Sequence, residues 1–335
     1  MATLKSNFDN VSLPSDKRPL ELEPSSCCIC GVLQEDAPCA VGEDFEYRCS
    51  PDTFLAKQCN GCGLVYLDPR PTLQELDRLY GPEYHAFQCS RESFGTIYKI
   101  RKRLEAKRLS ALYRNLPANA RILDIGCGDG FHLKILREFG QRGWILEGVD
   151  ASQQAVDSAA RAGLTVHHSQ VETMRLPDAS YDLILLIATL EHISDPRELF
   201  NKIFLLLRPG GRVLVITDNT ETGDFALFKG RYWGGYHFPR HWNLFNRRSL
   251  EALAHQAGLG IVSSKTQMSP VNWVYSIHNM LRDMEAPQWL VNRFTLHAPA
   301  SLAFFTVLNF FESLAGKGAL LRAVLERPVT RSREA

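Results

Sequence analysis

The glycine-rich segment of residues 121–130, RILDIGCGDG, constrains the fold of this chain more than any other segment. Apolar residues with strand character run directly into three glycines at alternate positions, and residues 131–139 have the apolar spacing of a helix. Glycines allow backbone conformations and a close approach that a Cβ atom would prevent. A strand, a glycine loop and a helix N-terminus form a site where backbone N–H groups meet a ligand. The segment therefore predicts a loop that binds a nucleotide-like cofactor.

Two details of this loop distinguish between cofactors. A dinucleotide-binding loop would have its third glycine at position 131, but Phe131 stands there, so the spacing is G-x-G-x-G. Asp124 ends the strand, and its carboxylate would repel a pyrophosphate but attract an ammonium or sulfonium group. The segment resembles the first motif of the class I S-adenosylmethionine-dependent methyltransferases. The resemblance implies that the methionine end of this cofactor is held by Asp124, Gly126, Cys127, Gly128 and Gly130.

Later segments match further cofactor contacts of the same family. Asp150 lies 22 residues past Gly128 at the end of a second strand, where a carboxylate can accept both ribose hydroxyls. Residues 169–177 resemble the family's adenine loop, with Gln170 as an amide in place of the usual acid and Glu172 as a residue that fixes the loop. The second set of predicted cofactor contacts is Asp150, Ala151, Gln170, Val171 and Ile187.

The order of strands and helices predicts the fold class. Strands and helices alternate through five strands, which indicates an α/β protein with a doubly wound, mostly parallel sheet. A sixth strand is expected at residues 260–265, and the resemblance implies a seventh, antiparallel strand near residues 320–325. The predicted units are a flexible arm (1–25), a zinc-ribbon-like segment with a connector (26–90), the cofactor domain (91–266), an apolar helical insertion (267–318), and the last strand with a tail (319–335).

Two C-x-x-C pairs near the N-terminus predict a metal site. Each pair is followed directly by a glycine, and 28 residues separate the pairs. In a zinc knuckle the tight turn directs both thiolates at one tetrahedral ion, and a closed four-sulfur site is structural. Nearby apolar residues, including Phe45 and Tyr47, are expected to form the short strands of a zinc ribbon. The alternative is four unrelated buried cysteines. The predicted zinc ligands are Cys27, Cys30, Cys59 and Cys62.

The segment of residues 231–245 is rich in aromatic residues and holds two histidines among glycines and a proline. With the cysteine pairs, it resembles the zinc-containing deoxysugar C-methyltransferases, in which a histidine at the position of His241 is the general base. His241 is therefore the first candidate base and His237 the second, because a neutral imidazole can remove a proton near pH 7. The alternative is a purely structural aromatic cluster. The predicted acceptor contacts are Tyr232, Trp233, Tyr236 and Trp242.

A third histidine follows the fourth predicted strand. The segment Leu190-Glu-His-Ile resembles that of methyltransferases of the ubiquinone-biosynthesis type, so His192 is a candidate for the floor of the active site. A histidine that only fixes its own loop is the alternative. Tyr80, Tyr84 and Phe87 in the connector are candidates for the mouth of the acceptor pocket, or else belong to an ordinary docking helix.

The composition excludes several classes of protein. The net charge is +1, which gives no general attraction for nucleic acid. No stretch has the apolar length of a membrane span, and no signal peptide is recognisable, so a soluble, cytoplasmic protein with reduced cysteines is expected. The apolar insertion is expected to cover the active site or to form a homodimer contact. A sharper hypothesis is that residues 290–315 contact a membrane surface and collect a lipid-linked acceptor.

These observations predict an enzyme: an S-adenosylmethionine-dependent methyltransferase with structural zinc and a small-molecule or lipid-linked acceptor. Neither the acceptor nor the methylated atom follows from the sequence. Two alternatives remain. One is a nucleotide-dependent oxidoreductase, against which Phe131 and Asp124 count. The other is a non-catalytic module in which the zinc ribbon binds a partner and the cofactor fold is a scaffold.

Overall fold

The computed structural model describes residues 18–31, 36–81, 91–171 and 173–329, without the side chains of residues 91–98, 100 and 101. Most of the predicted arm, together with Tyr84, Phe87 and Glu172, lies outside the described residues. The strands are β1 Leu22–Glu23, β2 Ala37–Gly42, β3 Phe54–Gln58, β4 Val65–Leu67, β5 Arg70–Pro71, β6 Arg121–Ile125, β7 Ile145–Asp150, β8 Thr165–His168, β9 Tyr181–Ile187, β10 Leu207–Asp218, β11 Asn243–Leu244, β12 Gly260–Gln267 and β13 Leu320–Glu326. The helices are α1 Leu76–Leu79, α2 Arg91–Tyr113, α3 Phe131–Phe139, α4 Gln153–Arg161, α5 Pro196–Leu206, α6 Gly223–Phe228, α7 Arg247–Gln256, α8 Val271–Asp283, α9 Gln288–Val291 and α10 Pro299–Leu314.

A seven-stranded sheet forms the centre of the molecule, in the order β12-β13-β10-β9-β6-β7-β8. The five strands from β10 to β8 in this order are parallel, whereas β13 is antiparallel to both β10 and β12. The doubly wound, mostly parallel α/β fold predicted from the sequence is therefore confirmed, including the sixth and seventh strands. Because β6 to β10 run in one direction, their carboxyl ends meet at one edge of the sheet.

Local sequence explains how the helices join this sheet. Apart from Asp182 near its start, strand β9 is apolar, as burial between two helix layers requires. The Ser152 hydroxyl accepts the Ala155 N–H at 3.3 Å and caps α4. Asp195 caps α5 by accepting the N–H groups of Arg197 and Glu198, both at 3.0 Å.

A second, four-stranded sheet joins the N-terminal segment to the histidine-rich loop. Its order is β11-β4-β3-β2, and β11, which belongs to the segment of residues 231–245, pairs antiparallel with β4. The expectation that Phe45 and Tyr47 lie in strands was wrong, because both lie in the turn of residues 45–47. The Asp44 carboxylate makes this turn by accepting the Tyr47 and Cys49 N–H groups at 2.9 and 3.0 Å.

The insertion between β12 and β13 is helical, as predicted, and it holds three helices, α8 to α10. Helix α8 packs against the short 3₁₀ turn Gly234–Tyr236, and the Gly234 N–H donates to the Ser276 hydroxyl at 2.9 Å. A Cβ atom on Gly234 would lie 2.6 Å from the Asn272 carbonyl oxygen, so glycine permits this close approach. Within the described ranges, no helix is both long and apolar enough to cross a membrane.

Candidate active site

The glycine loop after β6 forms an open cradle. Gly126, Gly128 and Gly130 all have left-handed φ values, of 72°, 53° and 78°. A Cβ atom on Gly126 would lie 2.3 Å from the Thr189 hydroxyl, so side chains pack closely below the loop. A Cβ atom on Gly128 would meet nothing within 4 Å. The space beside Gly128 is therefore where a ligand can approach the backbone.

Asp124 is the buried acid next to this cradle. Its side chain is 1% exposed, and its Oδ2 atom has no hydrogen-bond partner among the described residues. The Nδ1 atom of His132 lies 3.9 Å from this Oδ2 atom. Burial and the neighbouring Asp150 carboxylate raise the pKa of Asp124 well above its usual range. A ligand with a positive charge would offset this cost, so the residues present fit S-adenosylmethionine, which carries an ammonium and a sulfonium.

The other predicted cofactor residues lie at the same edge of the sheet. The two Asp150 oxygens accept the N–H groups of Gly128 and Ser152, both at 2.8 Å, which leaves each oxygen a further lone pair for a ribose hydroxyl. Gln170 and Val171 follow β8, Ala151 follows β7, and Ile187 ends β9. The structure thus brings together the strand ends that carry these residues, while their individual roles stay predictions.

A group of histidines and acids occupies the ends of β9 and β10. His192 and Glu191 lie in the 3₁₀ turn Leu190–His192 after β9, and Asp218 is the last residue of β10. His241 comes from the 231–245 loop, and its ring centroid lies 4.6 Å from that of His192 and 5.1 Å from that of His237. All three predicted catalytic histidines are therefore neighbours.

Hydrogen bonds to carbonyl oxygens indicate the tautomers of two of these histidines. His241 Nδ1 lies 2.8 Å from the Gly235 carbonyl oxygen and 3.4 Å from Asp218 Oδ2, and His192 Nδ1 lies 3.1 Å from the Arg240 carbonyl oxygen. A carbonyl oxygen only accepts, so we assign the proton to Nδ1 and the lone pair to Nε2 in both rings. Burial, together with the other two imidazoles, lowers the pKa of His192 well below its usual range.

Glu191 and Asp218 form a buried acidic pair beside the histidines. The Thr217 hydroxyl donates to Glu191 at 2.7 Å, and the Asn272 amide donates to Asp218 at 2.8 Å. Burial and the Asp218 charge raise the pKa of Glu191 to about 8, and burial raises the pKa of Asp218 to about 7. The pair therefore retains protons at a pH where exposed carboxyls have lost them. Ligand atoms of Glu191, His192 and His241 lie within 4.8 Å of one another, a grouping that could also hold a cation.

Residues of the N-terminal unit hold the histidine loop in place. The Tyr80 hydroxyl lies 2.8 Å from His192 Nδ1, and Glu46 accepts from His237 Nδ1 at 2.8 Å. Burial lowers the pKa of His237 to about 3, so this histidine is neutral. Sequence reasoning named Tyr80 but missed Glu46, Glu191 and Asp218. The sequence carried a signal for Asp218, because it lies at the end of a parallel strand, as Asp124 and Asp150 do.

The predicted acceptor contacts lie mostly in a hydrophobic core. Trp233, Tyr236 and Trp242 are 0%, 1% and 2% exposed, and their polar atoms are bonded within the protein. Tyr232 is partly exposed, and its hydroxyl donates to Asp283 at 2.6 Å. The buried side chains stabilise the loop by packing, so a direct role in acceptor binding stays a prediction for all four residues.

The four cysteines predicted to bind zinc are clustered. Their sulfur atoms lie within 4.8 Å of one another, and Cys27 Sγ is 3.5 Å from Cys62 Sγ. A tetrahedral zinc ion with Zn–S bonds of about 2.3 Å places its sulfurs about 3.8 Å apart. The two knuckles are alike, because the N–H of the glycine after each pair donates to the carbonyl of the pair's first cysteine, at 2.8 and 2.9 Å. The hydrogen bond from Cys62 lowers the pKa of Cys27 to about 5. The donor set thus fits zinc.

The sheet order and the glycine cradle define the class I fold of S-adenosylmethionine-dependent methyltransferases. The sequence model of the family described as "Methyltransferase domain" matches residues 97–264, which are 168 of the 335 residues. The chain therefore belongs to this methyltransferase family, as predicted.

Individual relatives agree with this family. The chain is 28% identical over 169 residues to a ubiquinone biosynthesis O-methyltransferase of Cereibacter sphaeroides, a match that covers 47% of this chain and 67% of the relative. It is 26% identical over 216 residues to the biotin biosynthesis bifunctional protein BioHC of Teredinibacter turnerae, covering 60% of this chain and 37% of that protein. The chain thus spans about two thirds or less of these curated relatives.

A solved structure shows the same fold. It is phosphoethanolamine N-methyltransferase 2 of Haemonchus contortus in complex with S-adenosyl-L-methionine, with a TM-score of 0.50 and 18% identity. The likeness covers 79% of this chain and 63% of that protein. At this identity the comparison supports the fold alone.

Proposed function

We propose that the protein transfers the methyl group of S-adenosylmethionine to a small-molecule acceptor, with His241 Nε2 as the general base. The observation that carries this proposal is the 2.8 Å contact between His241 Nδ1 and the Gly235 carbonyl, because it leaves the basic lone pair on Nε2. His241 lies next to His192, at the sheet edge where the predicted cofactor residues lie.

Each group at the edge has a distinct task in this proposal. S-adenosylmethionine supplies an electrophilic methyl group. Asp124 faces its positive charge, Asp150 accepts its ribose hydroxyls, and Gln170 with Val171 holds the adenine. Asp218, 3.4 Å from His241 Nδ1, acts as a positioning residue that orients the imidazole, and in its ionised form it stabilises the imidazolium formed when the acceptor loses its proton. Positioning and one base supply most of the rate enhancement, because methyl transfer is a direct displacement.

The test is His241→Ala, with His255→Ala as the matched control because His255 is exposed on α7. Methyl transfer is measured with a panel of acceptors, and S-adenosylhomocysteine affinity is measured by calorimetry. We expect His241→Ala to lower kcat by about 10²- to 10⁴-fold at unchanged cofactor affinity. An unchanged kcat would contradict the role as base, and loss of both properties would make the residue structural. Release of a bound metal ion by this substitution would instead identify a cation site at Glu191, His192 and His241.

We also propose that Cys27, Cys30, Cys59 and Cys62 bind one structural zinc ion. The two matched knuckles and the clustered sulfurs support this. Elemental analysis should find one zinc per chain, and Cys59→Ser should remove it. Cys39→Ser is the control, since Cys39 lies outside the cluster. Equal zinc content in the two variants would contradict the proposed ligand set.

The remaining predictions concern partners and location. The outer face of α10 exposes Phe304, Val307, Phe310, Phe311 and Leu314, while Asn309 and Phe305 face inward. This arrangement supports a contact of residues 290–315 with a membrane surface, with a lipid-linked acceptor, or with a second copy of the chain. Liposome flotation and sedimentation velocity of Phe304→Asp/Phe311→Asp separate these outcomes. A cytoplasmic location stays a prediction.

A further inference from the structure

The C-terminal turn of α8 carries a guanidinium without a counter-ion. Arg282 makes no ion pair with any described residue, and its buried Nε atom has no hydrogen-bond partner within the same part of the chain. Nearby arginines are different: Arg231 pairs with Glu43 and Asp283, both at 3.0 Å. A buried donor without an acceptor is costly, so this position calls for a polar ligand.

A second guanidinium lies close to the first. Arg48, in the turn made by Asp44, makes no ion pair in the described ranges, and its positive charge adds to burial in lowering the pKa of Arg282. Asn279, one turn before Arg282 on α8, is 5% exposed, and its Oδ1 atom also has no partner among the described residues. The end of α8 therefore holds two like charges and two unsatisfied polar atoms.

The carboxylates around this position are bonded to other residues. Among the described residues, the nearby carboxylates Asp44 and Glu46 are already bonded, Asp44 to Arg240 at 3.1 Å and Glu46 to His237 at 2.8 Å. Burial keeps His237 and His278 neutral by lowering their pKa values. Asp283, next to Arg282 in the chain, is bonded to Arg231, so none of these carboxylates pairs with Arg282.

Arg282 lies on the same side of the molecule as the proposed base, through residues that contact one another. Glu46 binds His237, whose ring centroid is 5.1 Å from that of His241, and the Glu46 charge also acts on His278 of α8. The end of α8 and His241 are thus linked through the Glu46–His237 pair.

We propose that Arg282 and Arg48 form an anion-binding subsite that recognises an oxyanion, phosphate or carboxylate, on the methyl acceptor. This inference rests on the proposed function. A guanidinium offers a planar pair of N–H donors that matches both groups. The unsatisfied Asn279 oxygen would accept a hydroxyl of the same molecule. The acceptor class is then an anionic small molecule rather than a neutral one.

The test measures anion binding directly, without the acceptor. The full-length protein is saturated with S-adenosylhomocysteine and titrated calorimetrically, at low salt, with inorganic phosphate, pyrophosphate or acetate. Comparison of the three anions distinguishes phosphate recognition from carboxylate recognition. We expect Arg282→Met to weaken binding by about 10-fold or more, as the loss of a charge-assisted pair implies. Arg282→Lys keeps the positive charge but lacks the planar pair of N–H donors, so we expect a smaller loss of anion affinity. Arg293→Met, an exposed arginine of the same insertion, is the matched control.

Equal anion affinity in the wild type, Arg282→Met and Arg293→Met would overturn the subsite, as would the absence of binding by all three anions. S-adenosylhomocysteine affinity and melting temperature are measured on every variant. If Arg282→Met fails to fold, Arg282→Lys and Arg48→Met decide the question. A failure of the proposed methyl transfer would appear separately, as missing cofactor binding or turnover with the anion site intact.

Discussion

The candidate site has two sides that are built in different ways. The proposed cofactor side lies around Gly128 and Asp150, and the proposed acceptor side lies around His192 and His241. On the cofactor side, the bonds join near neighbours in sequence: Asp150 binds Gly128, 22 residues away. On the acceptor side, the bonds join segments that are far apart in sequence. Tyr80 binds His192 across 112 residues, and Glu46 binds His237 across 191 residues. The cofactor side therefore follows from one strand–loop–helix unit, whereas the acceptor side exists only when the N-terminal unit and the histidine loop come together.

Zinc removal should separate the two sides most sharply. The Asn246 amide, which caps α7 directly after the histidine loop, donates to the Cys62 carbonyl at 3.2 Å, and β11 pairs with β4 of the N-terminal sheet. A structural zinc site contributes on the order of 10 kcal/mol to the unit that it folds. We expect a chelator to abolish methyl transfer while S-adenosylhomocysteine still binds. If the chelator abolishes both methyl transfer and the S-adenosylhomocysteine binding measured by calorimetry, the cofactor side does not fold independently of the zinc site.

Arg240→Met should be the most damaging single substitution on the acceptor side. The Arg240 side chain is almost fully buried, pairs with Asp44 at 3.1 Å and donates to the Leu79 carbonyl at 2.8 Å. Removing one partner of a buried pair costs about 3–5 kcal/mol, because the other charge stays behind. Urea unfolding should show this loss. Arg248→Met, an exposed neighbour in sequence, serves as the control and should unfold like the wild type.

Asp150→Ala tests the cofactor side of the site. The substitution removes the proposed ribose contact and the support of the Gly128 N–H, so we expect S-adenosylhomocysteine affinity to fall by about 100-fold, or about 3 kcal/mol. NADH is the comparator ligand and should not bind either protein. If the substitution leaves cofactor affinity unchanged, the ribose assignment is wrong.

Acid should weaken the acceptor side first. Burial raises the pKa of Asp44, but Arg240 and two backbone N–H groups outweigh it and lower the value from 3.8 to about 2. The ionised Asp44 therefore stabilises the folded protein by on the order of 2 kcal/mol. This contribution is fully present above pH 3.8 and is lost as the pH falls toward 2. Denaturant unfolding between pH 5 and 2.5 measures it. Arg240→Met should lack this dependence, and an identical pH profile in both proteins would refute the assignment.

Tyr80→Phe should have the smallest effect. The substitution removes only the hydroxyl that lies 2.8 Å from His192 Nδ1, so a loss of about 1 kcal/mol is expected, seen as about a fivefold lower kcat at unchanged cofactor affinity. Tyr113→Phe, whose hydroxyl makes a longer 3.3 Å bond on α2, is the control. A Tyr80→Phe protein as active as the control would leave His192 positioned by the Arg240 carbonyl alone.

The difference in construction explains what the sequence could predict. Apolar periodicity and three glycines predicted the sheet, the cradle and the caps, because each depends on adjacent residues. The two C-x-x-C pairs, each followed by a glycine, likewise predicted that four cysteines would cluster. Glu46 and Arg240 carry no local pattern, since each is polar in a segment whose burial depends on a partner about 190 residues away. Trp233 and Trp242 are buried in a core, which an aromatic-rich segment does not reveal by itself, and their contact with an acceptor stays a prediction.

The pairing of β11 with β4 also limits how this protein can be rearranged. A truncation that starts at the methyltransferase domain would leave β11 and its neighbours with an uncovered strand edge and exposed indole rings, a combination that favours aggregation. Transplanting the histidine loop from a relative would fail for the same reason unless residues 36–80 travelled with it. In a gene family, the two segments should therefore be inherited and exchanged together, although 150 codons separate them.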